Sequence, residues 1–317
     1  MFKHFRQIAI ELYKSVRFRI PRLVIDYFKD IYLQIRYQKS GARIFCLLEA
    51  NTAKILEDIH SVEKYLILPE TIEIRAKDKI NRLDKLIKAR YDLISNRDEL
   101  IQYANECIKD WKGKINTIQQ SNNISKRTET KSVIHYKDRQ NLNKSFVDVL
   151  EQRKSVRTYQ DKIVNSALIE KLTKLSQTAP SQCNRQSVRL HYYSEKQTIM
   201  DILNIQGGAK TFDSQVRNLF IISNTISAWD SSEERHQAYV DGGIFLMNLL
   251  LVIQNEGLVS CPLNLAMRPK ELQTLRKCAK IPDSEIPIVA ISFGWAAENS
   301  LVCRSNRLKI SEILTIH

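Results

Sequence analysis

The sequence predicts a chain of mixed class in two parts, helices alone at first and then helices interspersed with a few strands. Three observations carry this. Apolar residues between 44 and 110 recur only at helical spacings. From about Trp111 to Asn143 the apolar period dissolves into Asn, Ser, Thr, Lys and Gln, the composition of an exposed linker. Beyond it, Val188 to Tyr193, Leu219 to Ser223 and Ile286 to Phe293 have the β-branched or aromatic content and the polar or proline boundaries of strands. The expected organisation is a basic arm over 1–43, a helical domain over 44–110, a polar linker over 111–142 and a mixed domain over 143–317.

At 317 residues and 43% hydrophobic, the chain can bury a substantial core divided into about two domains. No run of about eighteen apolar residues is present, and Lys3, Arg6 and Glu11 interrupt any N-terminal signal core. A cytoplasmic protein is expected. Cysteines 46, 107, 183, 261, 278 and 303 show neither CxxC nor Cys/His ligand spacing, so they read as reduced thiols and no metal is expected.

The formal charge is +14, and half of it lies in the arm, where ten Lys and Arg face three Asp and Glu. Phe2, Phe5, Tyr13, Phe18, Tyr27, Phe28, Tyr32 and Tyr37 are interleaved with those cations, and Pro21 interrupts the pattern. Two readings stand. Short amphipathic helices could lie on an anionic membrane surface, on the inner face of the membrane, or the arm could pack on its own protein with a solvated basic face. Nucleic acid is not expected, because no binding module accompanies the charge.

Taken in order, Leu47 to Leu68 reads as a helix ending near Pro69. Its His60, Glu63 and Lys64 fall within one turn. They could serve a metal or catalysis, but a metal site wants further ligands nearby, so a surface or interface hydrogen-bonding cluster is expected. Ile80, Leu83, Ile87, Tyr91, Ile94, Ile101, Ala104 and Ile108 keep near-heptad spacing and predict one long helix, packed in a hairpin or on a second subunit. Phe146 to Leu150 begins the next helix, the basic turn Arg153-Lys154-Ser155-Val156-Arg157 follows it, and Ser166 to Gln177 is another helix. A loop then runs from Ala179 through Gln186. The Ser231 to Glu234 spacing is that of a capping box opening the most apolar stretch, Tyr239 to Asn264. Apolar on nearly every side from Gly243 to Ile253 except at Asn248, that stretch predicts a helix enclosed by protein, with Gly242 and Gly243 allowing close approach. Gly257 would end it on a left-handed residue, and Leu258 to Asn264 would form a tight turn partly fixed by Pro262. Lys270 to Ala279 gives one more helix.

Candidate chemistry lies in the loops. Arg153, Ser155 and Arg157 could clasp a phosphate dianion through guanidinium and hydroxyl donors. Asn184 and Gln186 offer amide groups to the edge of a heteroaromatic ring. Each motif is weak alone, and their ordered combination has the force.

R-x-S-x-R, then A-P-S-x-x-N-x-Q, then D-G-G-x-x-x-x-N-L-L-L followed by G-L-x-S-C-P resembles the FMN-dependent nitroreductase family over about residues 144–317. The resemblance implies an α+β domain with a central antiparallel sheet flanked by helices, an interlocked homodimer joined through long helices, and FMN at the interface. It matches Arg153, Ser155 and Arg157 to phosphate and ribityl contacts. Pro180, Ser181, Asn184 and Gln186 match the loop that reaches the flavin, often in the partner's site. Leu263 and Asn264 match the turn beside the redox face, and Arg304 and Arg307 are candidates for a last phosphate-binding cation. Arg185 or a helix terminus would stabilise charge at the N1/O2 edge. Ser187 and Val188 stand where an aromatic usually follows Gln-Pro, and Asn264 stands where Gly is common, so the departures lie near the ring. The segment HSVEKYLILPE also resembles a helical module that precedes nitroreductase domains in bacterial polysaccharide gene neighbourhoods, with Tyr65 where its pattern has Gly.

These readings imply an oxidoreductase that passes electrons from NAD(P)H through flavin N5 to a small organic acceptor, with no side-chain acid or base evident. One rival is a flavin-dependent dehydrogenase or tailoring enzyme of polysaccharide or peptide biosynthesis. The other is a non-catalytic, membrane-associated interaction protein with a degenerate flavin pocket.

Overall fold

The computed structural model describes residues 24, 27–28, 45, 48–67, 72–94, 98–121, 130, 132–136, 145–229 and 232–317. The basic arm over 1–43 thus lies outside the described residues except at Val24, Tyr27 and Phe28, all exposed.

Three helices open the described chain: α1 (Leu48–Ile67), α2 (Ile72–Leu93) and α3 (Glu99–Ser121). The single long helix expected from the near-heptad pattern is therefore two. Asp98 marks the break, accepting the Leu100 N–H at 2.7 Å on one oxygen and the Arg90 guanidinium on the other. Periodicity runs across the break because both helices bury their apolar face in one cluster. Leu83, Leu86 and Ile87 of α2 and Ile101, Ala104 and Ile108 of α3 meet Ile55, Ile59, Val62 and Leu66 of α1 there. Helix α3 also continues ten residues past Trp111, into the stretch read as linker, and β1 (Val133–His135) forms within that same stretch.

Strand β1 pairs antiparallel with β6 (Leu301–Cys303), Val133 opposite Cys303 and Ile134 opposite Val302. Successive side chains of a strand point to opposite faces. Val133, Leu301 and Cys303 accordingly join the helical core, while Ile134 and Val302 join the core of the second half.

The second half is built on a four-stranded antiparallel sheet of order β2-β3-β5-β4, comprising β2 (Val188–Tyr193), β3 (Asn218–Thr225), β4 (Val259–Asn264) and β5 (Glu285–Gly294). Its helices are α4 (Phe146–Gln152), α5 (Ser166–Ser176), α6 (Lys196–Gln206), α7 (Gln237–Asn255) and α8 (Pro269–Ala279). Strand β3 is apolar at consecutive positions because both its faces are covered. Leu219 and Ile221 pack on one side with α6 and α8, and Phe220 and Ile222 on the other with α5 and α7. Each such fully buried aliphatic contributes roughly 1.5–3 kcal/mol. Ser145 and Asp148 form a capping box on α4, and the Asn165 side chain caps α5.

Three expectations about the apolar stretch change. Helix α7 packs Phe245, Leu249, Leu250 and Ile253 against the sheet, and a Cβ on Gly242 would come within 2.3 Å of Ile288, so the helix and β5 do approach closely there. Its other side is open: Tyr239, Val240, Ile244 and Met247 are 52%, 49%, 39% and 44% exposed, and Gly243 faces open space. By length and composition α7 could cross a bilayer, but its sheet-facing side makes it a core helix. The expected capping box does not open this helix. The helix starts at Gln237 without a side-chain cap, Ser231 lies outside the described residues, and Glu234 pairs with Arg185 at 2.8 Å. Finally, Gly257 is left-handed as expected, at φ 76°, but Leu258 to Asn264 is no tight turn, for β4 occupies it. Pro262 is tolerated because β4 is an edge strand. The outward Ser260 carbonyl takes the Val156 N–H, so Pro262, two residues on, turns its missing donor away from β5.

Candidate functional site

The basic turn is fastened to the edge strand. Ser155 and Ser260 form a parallel bridge, and Val156 N–H donates to the Ser260 carbonyl at 3.1 Å. This sets Arg157 beside the end of β4. Arg157, Cys261, Pro262, Leu263 and Asn264 together line a cavity of about 560 Å³. Gln206, Gly207 and Gly208 close a second wall, where Gly207 ends α6 at φ 75° and Gln206 donates to the Asn264 carbonyl at 3.0 Å. The third wall is one face of α1, formed by Glu57, His60, Ser61, Lys64 and Tyr65. That spacing of three, four, seven and eight residues keeps all five on the side opposite Ile55, Ile59, Val62 and Leu66.

Three cations line the cavity, Arg157, Lys64 and Lys210, against one carboxylate, Glu57, which is paired with Lys54. Arg157 is only 7% exposed, and its guanidinium donates to the Ser155 carbonyl at 3.2 Å and to Cys303 Sγ at 3.8 Å. Burial pushes the Cys303 thiol up to about 12 and raises that of Cys261, so both are neutral near pH 7. Lys64 is held below the usual ammonium range, first by burial and then by the Arg157 charge. Arg153 is half-buried and likewise lowered by burial, then by Arg307. Among the described residues none of Lys64, Arg153 and Arg157 has a carboxylate partner. Of the nearby acids, Glu57 pairs with Lys54 at 2.6 Å. Glu63 accepts from Tyr103 Oη and from the Ser305 N–H, with its other oxygen 3.6 Å from His60 Nδ1.

His60, Glu63 and Cys303 place their ligand atoms within 4.8 Å of one another, a metal-like grouping. The charge around them argues for anions instead, since Arg157 points an N–H at the same sulfur and Lys64 stands alongside. Lys64 itself, expected in a hydrogen-bonding cluster, faces the cavity. The helical spacing of 57, 60, 61, 64 and 65 was visible in the sequence, but not that this face would meet β4.

The other candidates are distributed as follows. Leu263 and Asn264 both line the cavity, but Leu263 alternates with the outward residues and turns its amide toward β5, leaving the Asn264 amide as the outward one. Pro180, Ser181 and Gln186 line a different cleft of about 240 Å³ with Asp241, Arg189 and Phe245. Asp241 holds that loop, accepting the Gln182 N–H at 3.1 Å. Asn184 is exposed at φ 55° and accepts from Gln186 Nε2 at 3.2 Å. Arg185 is held by Glu234 and the Ala228 carbonyl and does not line the cavity, so the cations beside Leu263 and Asn264 are Arg157, Lys64 and Lys210 instead. Arg304 is exposed, its N–H on the Ser132 carbonyl; Arg307 is exposed, lines two neighbouring clefts and donates to the Ser305 carbonyl.

Comparison with known proteins finds likenesses in the C-terminal half of the chain. The Nitroreductase family model matches residues 150–216, which contain the basic turn and the 180–186 loop. A candidate NADH dehydrogenase/NAD(P)H nitroreductase of Methanothermobacter thermautotrophicus is 27% identical over 161 residues, 49% of this chain and 81% of that protein. The structure of a candidate NAD(P)H:FMN oxidoreductase of Staphylococcus epidermidis superposes with a TM-score of 0.50 at 16% identity, covering 57% of this chain and 99% of the other. The antiparallel sheet and flanking helices are thus a fold shared with that oxidoreductase, and residues 150–216 of this chain are similar to the nitroreductase family.

Proposed function

We propose that this protein is an FMN-dependent oxidoreductase that takes electrons from NAD(P)H and passes them to a small organic acceptor. One observation carries the reading: buried Arg157 faces a cavity of about 560 Å³ beside β4 and has no carboxylate partner among the described residues. That volume lies in the range of roughly 300–1,000 Å³ usual for cofactor sites. The relatives described as NAD(P)H nitroreductase and NAD(P)H:FMN oxidoreductase support the choice of donor and cofactor.

FMN, when bound, would supply the redox chemistry. Arg153, Ser155 and Arg157 would hold its phosphate and ribityl end, and Leu263 and Asn264 would border its ring. The loop of Pro180, Ser181, Asn184 and Gln186, in its separate cleft, would reach the site of a second copy. A homodimer is supported by the open side of α7 and by exposed Phe146, Val147 and Leu150 on the adjacent α4, apolar side chains that a second copy would cover. Cytoplasmic location and the division at 1–43, 44–110, 111–142 and 143–317 belong to the same proposal.

The visible spectrum of the purified protein tests the reading. Flavin absorption that bleaches anaerobically with NADH or NADPH supports it. Bleaching only with an organic donor would favour the dehydrogenase alternative, and a colourless protein that takes up no FMN would overturn both.

A further inference from the structure

We propose that Lys64 is a phosphate-binding residue of the cavity, so that helix α1 forms part of the binding site. Lys64 stands on the cavity-facing side of α1 together with His60, Ser61 and Tyr65, while the opposite side of the same helix is committed to the helical core. Its ammonium has no hydrogen bond or ion pair among the described residues.

Three cations, Lys64, Arg157 and Lys210, line this one cavity. Cys261 feels the charges of Arg157, Lys64 and Arg153, and burial keeps its own thiol neutral. Like charges gathered in a half-buried place repel and are poorly solvated, so an anion that joins them is bound favourably. Three positive charges suit a dianion, and a phosphate monoester is one. Lys64 arrives from outside the region matched by the family model, which makes the helical unit a contributor to ligand choice.

Naming the ligand rests on the flavin reading; the phosphate chemistry does not. The phosphoryl group could belong to FMN or to the nicotinamide donor. Full-length Lys64→Met keeps most of the stem volume, Lys64→Ala removes it, and Lys64→Arg keeps the charge. Affinities for FMN, for riboflavin (the same ring without phosphate) and for NADH are measured on each. The expected result is FMN binding weakened about tenfold to a hundredfold in Lys64→Met and Lys64→Ala, with riboflavin changed less than about twofold and Lys64→Arg close to the parent. Weakening confined to NADH would also uphold the proposal and assign the phosphoryl group to the donor. Equal loss of FMN and riboflavin, or unchanged FMN and NADH, would overturn it.

Should the parent protein take up neither flavin, the flavin reading falls and the anion seat is tested alone. Inorganic phosphate then raises the melting temperature of the parent above that in chloride of equal ionic strength, and Lys64→Met abolishes the difference. Equal responses in the two proteins would sink the seat as well.

Discussion

Replacing Arg157 by leucine moves two measurable quantities in opposite directions. Arg157 is 7% exposed, and its recorded partners are a carbonyl at 3.2 Å and a neutral sulfur at 3.8 Å. A buried ion without a counter-ion costs several kcal/mol even after relaxation, and apolar replacements of buried ionic groups are often neutral or stabilising by about 1–4 kcal/mol. Because two of its donors are partly satisfied here, we expect the lower end, with ligand-free Arg157→Leu about 0–2 kcal/mol more stable than the parent. Ligand binding should suffer. One lost charge-assisted hydrogen bond is worth about 1.5–3 kcal/mol, a loss in FMN affinity of roughly tenfold to 150-fold. Urea unfolding of the ligand-free proteins gives the first quantity, and FMN titration gives the second. A variant destabilised by more than about 2 kcal/mol that binds FMN like the parent would refute the reasoning and make Arg157 a structural residue.

Three further outcomes are expected. Asn218 is 1% exposed and serves the Val164 N–H at 2.8 Å, Tyr192 Oη at 2.8 Å and the Lys162 carbonyl at 3.0 Å, so Asn218→Ala should cost about 3 kcal/mol in urea unfolding, and a loss under about 1 kcal/mol would contradict this. Burial would raise the Glu285 carboxyl, but hydrogen bonds from Ser223 and His191 prevail and hold it below its usual 4.5. Its contribution is therefore complete above pH 4.5 and lost as pH falls through the depressed value; Glu285→Gln should flatten this part of the acid stability curve, and an unchanged curve would count against it. Among the described thiols, exposed Cys183 should be alkylated first at pH 8, whereas Cys107 and Cys303, pushed up to about 12 by burial, should resist until unfolding; mass spectrometry of the labelled peptides decides.

What was legible in the sequence follows from which interactions are local. Strands at 188–193, 218–225 and 285–294 could be read because β-branched runs with polar ends depend on neighbours in sequence. Helix α6 escaped although Ile199, Ile202 and Leu203 have helical spacing, because its start is capped by Glu195, an unusual capping residue. Strand β4 escaped because Pro262 argues against a strand unless the edge position is known, and edges are a property of the whole sheet. The break at Asp98 was hidden by a hydrophobic pattern that continued across it. At the candidate site, the chemistry of Arg153 and Arg157 could be read from residue type, whereas the meeting of Lys64 with Cys261 joins positions nearly two hundred residues apart and no local pattern records it.

The two-stranded ribbon of β1 and β6 has a bearing on how this protein can be dissected. Its alternate side chains are shared between two apolar interiors, so neither half owns it. A fragment beginning after residue 136 would leave β6 with an unpaired edge and bring Leu301 and Cys303 out into water, a sticky surface of the kind that drives intermolecular strand pairing. The C-terminal half is best prepared, and its ligand binding judged, with the preceding helices still attached.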